Sequence, residues 1–328
     1  MTSHGARSAV VGAAAARLAY AALKAGPPGG AADWDRTNHR GERVTLLEGP
    51  AVAIGGIAGA LAAGGSRRDR LALAVAGTGA AAFGSYDDLA GNGVSKGFRG
   101  HLGALRAGEL TTGAVKIAGI GVTGLAAALI AAQPADAGKT RSGTSAPAVA
   151  DVLINAGLVA GGANLLNLFD LRPGRAIKAG LLAGGLLAPW RRGRAATAGP
   201  LAAAAALLPE DLGERAMLGD GGANALGAML GVAAATTLPR SARLGVLAAI
   251  VGLTAASEKV SFTKVIERSA PLHRLDMLGR RPAGPPTPSA GSPSTTRQAP
   301  AENGGTPPGQ DQADRTLEAP DRRSVEAR

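Results

Sequence analysis

Cysteine is absent from the 328 residues, which excludes a disulfide scaffold and any cysteine-ligated zinc site. Aromatic side chains are almost as scarce, with four Phe, two Trp and two Tyr. Charged residues make up 18%, against the ~25% usual in soluble domains. A core driven together by water therefore has few large side chains to bury. What the chain has in excess is glycine, 50 residues, together with abundant alanine. The glycines follow no strict three-residue period, which excludes a collagen helix. Such an excess of small residues suits closely packed helices in a membrane.

The net charge of +11 raises the question of nucleic acid. No nucleic-acid partner is expected, because the basic residues are scattered between apolar blocks and form no basic aromatic face. The chain divides at about Gly279. From Arg280 to Arg328 it holds nine of the twenty prolines with Ser, Thr, Gly and mixed charges, a composition that predicts disorder. Residues 1–279 hold nine apolar blocks: Ser8–Lys24, Gly49–Gly65, Leu71–Tyr86, Thr112–Ala132, Ala148–Leu166, Ala176–Trp190, Ala195–Leu208, Ala223–Leu238 and Leu244–Ser257. The expected fold is all-α, a polytopic transmembrane helix bundle of about nine spans. Several blocks are short against the ~20 residues of a full crossing. The first, which follows Arg7 and is interrupted by Arg17, reads as a weak span rather than a cleaved signal. Small residues four apart recur at Gly55/Gly59, Gly157/Gly161, Gly180/Gly184 and Gly227/Gly231, where backbones can approach closely.

Under an alternating topology, the loops after odd-numbered spans share one face. They carry Asn38-His39-Arg40, then Asp87-Asp88 with Lys96 and His101, Asn164-x-x-Asn167-x-x-Asp170, Gly219-Asp220-Gly221-Gly222 and Pro271-Leu272-His273. The basic residues favour this face as the cytoplasmic one. Arg67-Arg68-Asp69-Arg70 and Arg191-Arg192-Gly193-Arg194 go against that bias and fall on the other side.

The order and spacing of these segments resemble the polyprenyl-phosphate N-acetylhexosamine-1-phosphate transferases, the family of phospho-N-acetylmuramoyl-pentapeptide transferase. Gly84-Ser85-Tyr86-Asp87-Asp88 resembles its Asp-Asp segment, and Asn164 to Asp170 its Asn-x-x-Asn-x-x-Asp segment. Leu218 to Gly227 resembles its Met-Gly-Asp-x-Gly-Ser-x-x-Leu-Gly segment, and Ala270-Pro271-Leu272-His273 the start of its histidine-rich loop. The resemblance implies transfer of a sugar-1-phosphate from a UDP-sugar to polyprenyl phosphate, with release of UMP, at the bacterial cytoplasmic membrane. It implies Asp87, Asp88 and Asp220 as catalytic residues, with Asp87 a candidate base. Asp220 and Asp88 would be ligands of Mg²⁺, an ion that uses one or two carboxylates and completes its shell from phosphates and water. Lys96, Asn164, Asn167, Asp170 and His273 would bind substrate.

The sequence departs from this pattern at Pro173, where the family has a second Asp, and at Ala223, where it has Ser. The histidine-rich loop keeps only His273, and a Pro-rich tail stands where a tenth span is expected. Arg172, Arg175 and Arg274 are alternative phosphate ligands. Two readings stay open: an active transferase in cell-envelope glycan assembly, and a catalytically reduced relative that binds lipid phosphate or scaffolds membrane proteins. A homodimer is compatible with both. No internal repeat of the transporter kind is visible.

Overall fold

The structure, a computed structural model, describes residues 3–38, 40–91, 108, 111–132 and 146–282. His39, Lys96, His101 and the tail from residue 283 lie outside the described residues. The helices are α1 (Ser3–Ala25), α2 (Ala31–Trp34), α3 (Glu48–Ala62), α4 (Arg67–Ala90), α5 (Thr112–Ala131) and α6 (Ala146–Phe169). They continue with α7 (Arg175–Gly185), α8 (Arg191–Leu212), α9 (Gly219–Thr237), α10 (Arg240–Ser257), α11 (Phe262–Arg268) and α12 (Ala270–Met277). Each of the nine apolar blocks thus forms a helix.

Two of these, α5 and Val149–Phe169 of α6, are long and apolar enough to cross a membrane. The bent pair α10–α11, which turns through 97°, makes a third if it is one span. The block Ala176–Trp190 departs from expectation most clearly, because its helix stops at Gly185 and rises only about 16 Å. Pro189 disfavours helix at the preceding residue. The chain instead tightens into turns, with Leu187 N–H on Gly184 O (3.1 Å) and Ala188 N–H on Gly185 O (3.0 Å).

The fold is not wholly α. A hairpin of β1 (Asp35–Thr37) and β2 (Arg43–Thr45) pairs antiparallel, with Asp35 opposite Thr45. Its turn is closed by Asn38, whose side-chain oxygen accepts from the backbone N–H of Arg40 and of Glu42, both at 2.9 Å. Met217 N–H bonds Thr45 O at 2.9 Å, so the hairpin braces the segment that leads into α9.

Helix α9 is the centre of the bundle. Fourteen of its nineteen residues are buried, and it packs on α3, α4, α6 and α8. Its Met229 and Val232 join the apolar cluster formed with α4, α5 and α6, while Leu226 joins the one formed with α1, α3 and α8. Helix α10, by contrast, buries only Ile250 and lies against α6. Large apolar side chains face outward on many elements, among them Leu18, Val122, Leu129, Leu153 and Val251.

Glycine sets how closely the helices approach. Gly59 of α3 crosses Gly199 of α8 so tightly that a Cβ on Gly199 would stand 2.7 Å from Gly59 Cα. Likewise Gly227 meets Gly162 O and Gly231 meets Leu158 O, backbone against backbone. Of the four small-residue pairs read from the sequence, Gly55/Gly59 and Gly227/Gly231 are therefore backbone crossings. Gly157/Gly161 and Gly180/Gly184 instead receive the side chains of Leu247, Ile250, Leu226 and Leu201.

Over-packing at such a crossing costs about 1–3 kcal/mol or more. Gly199→Leu is predicted to lower the melting temperature of the purified protein by several degrees. Gly245→Ala in α10, where a Cβ meets nothing within 4 Å, should hold or raise it, because alanine favours helix by up to ~1 kcal/mol. Thermal melting of both variants checks the pair.

Candidate active site

Five elements bring acidic residues to one end of the bundle, and a sixth brings a lysine. The acids stand at the C-terminal ends of α4 (Asp87, Asp88) and α8 (Asp211), just after α6 (Asp170), and at the N-terminal ends of α3 (Glu48) and α9 (Asp220); α5 contributes Lys116 near its N-terminal end. The geometry starts at α9. Its N-cap is Leu218, which offers no side-chain acceptor, so the first backbone N–H groups need partners from elsewhere. Asp88 supplies them. Its Oδ1 accepts the N–H of Asp220 at 3.1 Å and its Oδ2 that of Gly221 at 2.9 Å.

Glycine makes this cross-helix cap possible. Gly219 adopts φ +62°, a left-handed turn that any other residue would strain, and a Cβ there would lie 3.0 Å from Asp88 Oδ2. A Cβ on Gly84 would collide with Asp220 O. The glycines of both sequence segments thus serve one contact, the backbone of α4 against the start of α9. Arg36 of β1 adds a second brace, donating to Asp88 O from Nη2 and to Asp35 O from Nη1 at 2.7 Å.

With Asp88 occupied by α9, the carboxylates that face each other are Asp87 and Asp220. They lie within hydrogen-bonding reach of one another, and Lys116 stands between them. Its Nζ pairs with Asp87 Oδ2 at 2.5 Å and with Asp220 Oδ2. The Thr112 hydroxyl also bonds Asp87. The expected metal pair was Asp88 with Asp220; around the cation present here, Asp220 is instead joined by Asp87. Lys116 was absent from the candidate residues, although one cation inside the apolar run Thr112–Ala132 was its signal.

Asp170 approaches the same cluster. Its carboxylate accepts from the backbone N–H of Gly219, and burial together with the charges of Asp211, Asp220 and Asp88 pushes its pKa up. Burial and the Asp220 charge push Asp88 up to about 7. Next to them lies a second acidic group, which the sequence did not single out. Glu48 is fully buried and neither of its carboxylate oxygens has a hydrogen-bond partner among the described residues. Burial, then the charges of Asp211 and Asp170, push its pKa well up. Asp211 is pushed up to about 7, chiefly by burial.

The other expected substrate-binding residues sit apart from this cluster or beyond the described residues. Asn164 donates to Thr254 Oγ1 at 3.3 Å and ties α6 to α10. The carbonyl of Asn167 accepts the N–H of Asp170 at 3.0 Å, turning the chain at the end of α6. His273 is exposed on α12. Lys96 lies outside the described residues. Arg175 is corrected outright as an alternative phosphate ligand. It is 5% exposed and forks onto both oxygens of Asp276 at 2.7 and 3.1 Å, locking α12 to α7.

An apolar cavity of about 520 Å³ runs between α6, α7, α9 and α10, from Phe169 beside Asp170 to Leu238 and Trp190. Its walls are hydrocarbon and aromatic side chains with glycine, so it suits an aliphatic chain rather than a sugar.

Compared with protein-family models and with curated proteins, the chain matches none of them.

The raised carboxyl pKa values fix the sign of a pH dependence. A folded state that holds protons the unfolded chain has already released loses stability as pH rises. For Asp211 that window runs from about 4 to about 7. The melting temperature is therefore predicted to fall between pH 5 and pH 8. Glu48→Gln should flatten the fall and raise the melting temperature at pH 8, because it removes a buried carboxylate that the charges of Asp211 and Asp170 disfavour. A Glu48→Gln protein less stable than wild type at pH 8 contradicts this assignment.

Proposed function

We propose that the chain is a membrane-embedded transferase that moves a sugar-1-phosphate from a UDP-sugar onto polyprenyl phosphate and releases UMP. The observation that carries the reading is the convergence of Asp87, Asp88, Asp170 and Asp220, from three separate helical segments, on the N-terminus of α9. In this reading all nine apolar blocks lie in a bacterial cytoplasmic membrane, with α7 a short element inside the bundle. The outward-facing leucines and valines support it, since hydrocarbon is their favourable surroundings.

Two substrates that both carry phosphate must meet, so positioning and charge neutralisation dominate the task. Asp87 and Asp220 fit a divalent cation: they converge and already share one positive charge, and Mg²⁺ needs only one or two carboxylates beside phosphate oxygens and water. When bound there, Mg²⁺ would neutralise charge on the nucleotide pyrophosphate. The chain's own residues do the rest. Asp88 fixes the start of α9, whose N-terminal dipole favours phosphate. In this reading Asp87 takes the proton of an attacking phosphate. Lys116 holds the two carboxylates together and offers its ammonium to a phosphate oxygen. The cavity beginning at Phe169 receives the polyprenyl chain.

A second reading, a reduced relative that binds lipid phosphate without turnover, is favoured by one feature. Lys116 already pairs with both Asp87 and Asp220, as it would in a purely structural ion-pair network.

Release of UMP from a panel of UDP-N-acetylhexosamines, with undecaprenyl phosphate and Mg²⁺, separates the two. The transferase reading predicts turnover that Asp87→Asn lowers by about 100-fold or more, the scale of a lost general base. Folded protein with no turnover on any donor would sink it.

A further inference from the structure

A second cavity, of about 620 Å³, lies at the opposite end of the helices, where α1, α4 and α8 begin. Eighteen residues of α4 separate its Asp69 from Asp87, which is about 27 Å of helix. The acidic site is therefore not part of it.

The lining combines two chemistries. Arg70, Arg191, Arg192 and Arg194 supply guanidinium groups, and His4 adds an imidazole. The carboxylate in the lining, Asp69, is already consumed: Arg192 forks onto both of its oxygens at 2.8 Å each. Three arginines are left without a compensating acid in the lining. Arg70 spends Nη1 on Leu61 O at 3.5 Å and Arg194 spends Nη1 on Ala188 O at 2.8 Å, so each keeps further N–H donors. Helix α8 has Trp190 at its N-cap and no side-chain cap, which adds the positive end of its dipole to the same space. The remaining wall, with Leu73, Ala196 and Leu201, is apolar.

We propose that this cavity binds a phosphate group carried on a hydrocarbon body, with the arginines on the phosphate and the leucine–alanine wall against the chain. The guanidinium fork matches phosphate oxygens, and each charge-assisted bond is stronger than its neutral counterpart. The site also gives a task to Arg70, Arg191 and Arg194, which go against the charge bias of the other loops.

The test uses the full chain in neutral detergent, titrated with phosphatidylglycerol, phosphatidylcholine or inorganic phosphate, and read by native mass spectrometry and thermal shift. The expected result is one tightly held phosphatidylglycerol per chain and a raised melting temperature, with phosphatidylcholine much weaker. Arg70→Gln/Arg191→Gln/Arg194→Gln should weaken that binding by about tenfold or more. Ala195→Trp, which fills the cavity and keeps every arginine, should weaken it as well; this variant stands in if the triple one fails to fold. Saturation by inorganic phosphate with no lipid held would keep the phosphate chemistry and assign the source to a soluble ligand. Equal binding of both lipids, no response to phosphatidylglycerol or phosphate, or wild-type binding by a folded arginine or Ala195→Trp variant would overturn the proposal.

Discussion

The hydrogen bonds from the Asp220 and Gly221 N–H groups to Asp88 organise the acidic end of the molecule. A helix that starts inside a bundle must find partners for its first N–H groups, and α9 has none of its own. Taking them from α4 obliges the two backbones to touch, and Gly84, Gly219 and Gly221 are the residues that allow it. Once that contact forms, Asp220 is carried against Asp87. Two carboxylates so close repel each other unless a cation joins them, and Lys116 does so. The candidate chemistry thus follows from a packing requirement: the same contact that closes the bundle creates a place that demands positive charge.

The alternating directions of the helices then sort charge between the two ends. Where α3, α5 and α9 begin and α4, α6 and α8 end, carboxylates gather around Lys116. Where α1, α4 and α8 begin, arginines gather around one neutralised carboxylate. Between the ends lies an interior of alanine, glycine and leucine whose helices approach to backbone contact. Arg175 and Lys178 fasten the C-terminal helices back onto α7, with Lys178 Nζ on Leu275 O at 3.0 Å and on Leu278 O at 3.2 Å. The charged side chains therefore act at the margins of the bundle, and small residues set its interior spacing.

Much of this was legible in the residues. Nine apolar blocks announced nine helices, and the Asp-Asp and Gly-Asp-x-Gly segments were recognisable as partners before any contact was known. Their glycines were readable as turn formers, but not as the surfaces on which α4 and α9 meet, because that contact joins positions more than 130 residues apart. Lys116 hid inside an apolar run. Arg175 looked like a free cation because its partner, Asp276, lies 101 residues away. The hairpin has strands of three residues, too short for an alternating pattern to show. Block lengths overstated α7, where Pro189 and two glycines end the helix early. Local pattern reveals which segments are helical and where chemistry is concentrated; which carboxylate caps a helix and which faces a cation is decided by packing between distant segments.

The divalent-cation site proposed at Asp87 and Asp220 depends on Asp88 fixing the start of α9 and competes with Lys116 for the same carboxylates. Electron paramagnetic resonance of Mn²⁺ titrated into the purified full chain tests it directly. One bound ion per chain is predicted, lost in Asp220→Asn and held more tightly in Lys116→Met, where the competing ammonium is gone. Mn²⁺ binding that is absent from the wild-type and Lys116→Met proteins alike, or that is unchanged by Asp220→Asn, would rule out a cation site at this pair.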